Sequence, residues 1–119
     1  MENFIVYKIT GKHTNKTYYG KTMLPVEERL SLHLSSYRHH KETYCSSPYL
    51  PVFDIIRENN NSDIKITTLT PGPTNYFNAT AIEKHYIEQD KNCCNKNGSD
   101  YTVEEYLIEY SEKHSEINK

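Results

Sequence analysis

The sequence predicts an α+β fold in which a β-hairpin is followed by two helices, a third strand and a further helix. Three observations predict it. Two runs rich in β-branched and aromatic residues, 4–10 and 16–22, flank a turn-forming stretch. The segment 64–69 alternates at period two, and apolar stripes at helical spacing recur after prolines. With 119 residues the chain is long enough for one compact domain and too short for two of ordinary size.

The first strand runs from Phe4 to Thr10 and the second from Lys16 to Thr22, joined through Gly11-Lys12-His13-Thr14-Asn15. Pro25 suits a first helical turn, Glu27 and Glu28 favour its positive end, and Leu30, Leu34 and Tyr37 continue an apolar stripe. A helix is expected over 26–38. The stretch 39–47 lacks periodicity. Pro48 or Pro51 then opens a second helix, whose core residues are Val52, Phe53, Ile55 and Ile56 and which stops at Asn59-Asn60-Asn61. After the strand at 64–69 and the breaker Pro71-Gly72-Pro73, a helix over 76–89 places Ala79, Ile82, Tyr86 and Ile87 on one broad face. A loop over 92–100 leads to a last amphipathic helix carrying Val103, Tyr106, Leu107 and Tyr110.

Composition bounds the partners. Apolar residues make up 35% of the chain and charged residues 25%, a lean but globular balance that eleven tyrosines supplement with buryable ring area. No stretch has membrane-spanning length, and Met1-Glu2-Asn3 carries no basic leader, so an intracellular, unexported protein is expected, with no membrane partner. Cys45, Cys93 and Cys94 form no Cys-x-x-Cys pair and fit a reducing setting. A formal charge of −2 argues against strong nonspecific nucleic-acid affinity, so any DNA binding must be local or helped. Basic residues do gather in the N-terminal half, while acids collect over 104–116.

Three features carry potential chemistry. Tyr7, Tyr18 and Tyr19 sit in the hairpin, where cross-strand packing is the ordinary explanation. Arg29 and His33, four apart, share one helix face and can both address a phosphate, although surface placement is the ordinary explanation for such a pair. Glu83 interrupts an apolar helical stripe, and a buried carboxylate must be paired, for instance with Arg29, or bound to a metal.

Taken in order, these residues resemble the GIY-YIG nuclease family. Ile5-Val6-Tyr7 stands where that family shows Gly-Ile-Tyr, and Tyr18-Tyr19-Gly20 where it shows Tyr-Ile-Gly, followed by Lys21-Thr22. Arg29 and His33 match the family's Arg-x-x-x-His helix, the segment around Glu83 its glutamate helix, and Asn95, or alternatively Asn97, its following asparagine. The first glycine is missing. Where some members carry a further histidine near position 44 or 45, this chain has His39 and His40 instead. The likeness covers roughly 3–97, which assigns 1–97 to the nuclease domain and 98–119 to a C-terminal helical extension.

The resemblance implies a three-stranded antiparallel sheet flanked by helices and a metal-dependent endonuclease that hydrolyses DNA, leaving 5′-phosphate and 3′-hydroxyl ends. It implies Mg²⁺ on Glu83, with Mn²⁺ as a substitute, and Arg29 neutralising the nonbridging oxygens. Tyr7 or His33 would be the general base and Tyr18 would orient the water or the phosphate. Lys16, Gly20, Lys21, His40 and Asn95 would meet the substrate. Target selection would come from the module itself, a homodimer or a separate targeting protein. Heavy use of Asn, Lys, Ile and Tyr hints at a viral or mobile-element source. The competing expectation is a catalytically inactive DNA-binding or protein-interaction module on the same fold.

Overall fold

The computed structural model describes residues 3–43, 51–95 and 111, with the side chains of 40–43 left aside. The expected last helix at 103–110, the extension at 98–119 and the alternative Asn97 lie outside the described residues, apart from the isolated Ser111.

Strands β1 (Ile5–Gly11) and β2 (Thr17–Thr22) form the hairpin, followed by α1 (Val26–Thr43), α2 (Val52–Glu58), β3 (Ile64–Thr68) and α3 (Tyr76–Gln89). A short 3₁₀ turn, Asn61–Asp63, leads into β3. The three strands make one antiparallel sheet in the order β2-β1-β3. The element order matches the expectation, and α3 matches it to the residue. The first helix differs: it runs to Thr43, past the end expected at Arg38. The apolar stripe does stop near Tyr37, but a helix once nucleated adds one hydrogen bond per residue and continues without it.

Strand parity divides the core in two. Tyr7 and Ile9 on β1 and Tyr18 on β2 point to one face, where they pack with Val52, Phe53, Ile55 and Ile56 of α2 and with Val26, Leu30 and Leu34 of α1. Phe4 and Val6 point the other way, onto Ala79, Tyr76 and Ile82 of α3. The sheet is therefore covered on both faces, by α1 and α2 on one side and by α3 on the other.

Local chemistry fixes the element ends. Asn75 caps α3, its side-chain oxygen accepting from the Asn78 N–H at 2.8 Å. Asn59, in extended conformation, stops α2 and donates its amide to the Ile55 carbonyl at 2.8 Å. The same amide accepts from the His13 N–H at 2.7 Å and crowds Gly11, where a β-carbon would meet it. The hairpin turn is thus pinned to the end of α2.

Candidate active site

Tyr7 lies at the centre of the site. It is fully buried, and its phenol crosses β2 at Gly20, its cross-strand partner. Only a residue without a side chain fits beneath it, because a β-carbon at Gly20 would clash with the phenolic oxygen and stand 2.6 Å from Cζ.

The first turns of α1 supply the partners of that phenol. Arg29 and His33 lie one turn apart on the helix and are buried rather than on the surface, at 5% and 2% exposure. Arg29 Nε donates to the Tyr7 oxygen at 3.2 Å, and Tyr7 Oη lies 2.8 Å from His33 Nε2. Burial, reinforced by the Arg29 charge, holds the His33 imidazole well below its ordinary pKa, so the ring is neutral. Guanidinium nitrogens only donate. The arrangement that satisfies all three groups sends the phenol proton toward His33 Nε2 and leaves the ring's own proton on Nδ1. Tyr18 completes this group, its ring meeting His33 edge-on at 5.6 Å between centroids.

Glu83 enters from α3. It is 1% exposed, and its Oε1 lies 3.4 Å from the Nζ of Lys21, which is itself completely buried. That separation exceeds the roughly 2.7–2.9 Å of a tight charge-assisted bond, so the pair is loose. The Lys21 ammonium also stands over the Tyr76 ring, 5.0 Å from its centroid. Tyr76 was not singled out in the sequence. The signal was its position seven residues before Glu83, two turns earlier on the same helix face.

Lys21 follows Gly20 directly in β2, so the pleat sets the phenol group and the Lys21–Glu83 pair on opposite faces of this one edge strand. Glu83 offers a hard carboxylate oxygen. Among the described residues no three His, Cys, Asp or Glu side chains are gathered as a ligand set. This donor chemistry fits Mg²⁺, which takes few protein oxygens and completes its shell with water and phosphate.

The remaining expected residues are placed elsewhere. Asn95 flanks β2, its amide accepting from the Tyr19 N–H at 2.9 Å and donating to the Tyr19 carbonyl at 2.8 Å. Lys16 pairs with Glu58 at 3.0 Å, which raises its pKa, and lies 3.9 Å from Asp54, both on α2. His13 pairs with Asp63 at 3.0 Å. Much of the hairpin's positive charge therefore faces acids of the same chain. His40 lies in α1, with its side chain outside the described residues.

No helix of the described residues is long and apolar enough to cross a membrane. No protein-family model, no curated protein and no solved structure matches the chain.

Proposed function

We propose that the protein is a metal-dependent endonuclease that hydrolyses DNA phosphodiester bonds on a GIY-YIG-like fold. The observation that carries this reading is the hydrogen-bonded series Arg29–Tyr7–His33, set across one edge strand from the buried Glu83 carboxylate.

In this reading Tyr7 is the general base. As it takes a proton from the attacking water, its own phenolic proton passes to His33, which is neutral and accepts at Nε2. The Arg29 guanidinium steadies the phenolic oxygen through that transfer, and its fixed positive charge would balance the charge that builds on the phosphate. Tyr18 holds His33 in place by its ring contact. Glu83 is the residue that would hold Mg²⁺, and the ion would supply a Lewis acid for the departing oxygen. Lys21 pairs with the Glu83 carboxylate and orients it.

The test is cleavage of supercoiled plasmid with and without Mg²⁺ by the wild type and by Glu83→Gln, with folding of both checked by circular dichroism. Mg²⁺-dependent nicking that Glu83→Gln lowers by about a hundredfold or more supports the reading. Equal cleavage by a folded Glu83→Gln overturns it.

One observation favours a second reading. Tyr7, Lys21, Arg29, His33 and Glu83 are all at most 5% exposed, as a polar network that only stabilises a DNA-binding or protein-interaction module would be. On that reading Glu83→Gln lowers stability while the wild type cleaves nothing.

A further inference from the structure

Beyond the candidate active site, α1 and the end of α2 enclose a second cleft of about 690 Å³. Its floor is apolar, formed by Leu34, Tyr37 and Ile56, and its rim carries Arg38, Arg57 and the run Asn60-Asn61-Ser62. Arg38 and Arg57 are exposed, one on each helix, and among the described residues no carboxylate lines the cleft. Arg57 also touches Asp54, but at 3.4 Å in an exposed i,i+3 pair, which competes weakly with a polyanion.

We infer that this cleft is a docking groove for the DNA backbone flanking the scissile phosphate, with Arg38 and Arg57 as its phosphate contacts. The inference rests on the endonuclease reading for its ligand and on the cleft itself for its chemistry.

Continuity with the site supports it. Arg29, His33 and Tyr37 lie at successive four-residue steps of α1, so the cleft opens one turn beyond His33 on the same stripe. Arg38 lies about 7.5 Å farther along the helix axis than His33, at roughly 1.5 Å per residue. A DNA strand advances about 3.4 Å of axis per nucleotide, so that offset spans about two nucleotides. Arg38 also lies about 140° around the helix from His33, at roughly 3.6 residues per turn, so a strand in the cleft would follow α1 around rather than along one face, with amides and a hydroxyl at hand for sugar and phosphate oxygens.

The charge distribution points the same way. Lys16, His13 and Lys21 face acids of their own chain, and the formal charge of −2 offers no general attraction for DNA. A local pair of guanidinium groups is suited to provide counterion-releasing contacts that the whole chain does not.

The experiment is equilibrium binding of a fluorescent duplex in EDTA, read by anisotropy over a salt series, for the wild type, Arg38→Ala/Arg57→Ala and Arg38→Lys/Arg57→Lys. Both side chains are exposed, so folding should survive, and thermal unfolding confirms it. The expected result is binding weakened roughly tenfold or more in the alanine pair, with the slope of log K against log salt shallower by about 1.8, at about 0.9 per phosphate lost. The lysine pair, which keeps the charges, should restore most of that slope. Equal affinity and slope in wild type and alanine pair overturn the groove, even if the wild type cuts DNA. An arginine-dependent slope in a wild type that cuts nothing upholds the groove and rejects only the nuclease reading. A wild type that binds no duplex rejects the groove.

Discussion

Gly20 lies directly beneath the phenol of Tyr7, its partner across the β1–β2 ladder, and the backbone there leaves no room for a β-carbon. Gly20→Ala would push the ring away from both Arg29 and His33. We expect a loss of about 1–3 kcal/mol in urea unfolding, as for an overpacked core, together with loss of nicking.

Tyr7→Phe keeps the ring and deletes the oxygen that Arg29 and His33 share. The cost should be about 1–3 kcal/mol, because two buried polar groups lose this partner. Plasmid cleavage should fall by at least about a hundredfold if the phenol handles the proton. Full activity in this variant would remove Tyr7 from the mechanism.

His33 links stability to pH. Its folded-state pKa is lowered by burial and by Arg29, so below the unfolded value near 6.5 the unfolded chain binds the proton that the folded chain refuses. Stability is unaffected above about pH 6.5 and falls on the acid side, by up to about 1.4 kcal/mol per pH unit for one proton. Among the described residues, Tyr7, Tyr18 and Arg29 are the groups whose contacts or charge reach His33. Urea midpoints between pH 5 and 8 should show this slope in the wild type and a flatter one in His33→Gln.

The buried Lys21–Glu83 pair should be strongly coupled. Glu83→Leu alone strands an ammonium in the core and should cost about 3–5 kcal/mol. Adding Lys21→Met should return much of that loss, and a double-mutant cycle on unfolding free energies measures the coupling. Nicking should stay absent in the double variant, which separates the structural share of the pair from its chemistry.

Much of this was legible before any coordinates. The order of elements followed from alternation and periodicity, and the start of α3 is legible because the breaker Pro71-Gly72-Pro73 comes just before a stripe at helical spacing. The interruption of that stripe by Glu83 correctly signalled a buried acid. What stayed hidden depends on strand register and tertiary distance. Lys21 and Lys16 both read as substrate contacts until the pleat turns Lys21 onto Glu83 of α3 and α2 brings Glu58 to Lys16. The phenol's passage over Gly20 also follows from the pairing of Tyr7 with Gly20, and neither local composition nor periodicity encodes that pairing.

Asn95 has a consequence for how the molecule meets its own copies. Its amide occupies both backbone groups of Tyr19, while Asn92 and Cys94 occupy those of Thr17 at 3.0 and 2.9 Å. Along this half of β2 the margin of the sheet is already spoken for, and an incoming strand finds no open donors or acceptors there. A chain with so many β-prone tyrosines thereby guards one border against edge-to-edge aggregation, using a single short side chain as a surrogate strand.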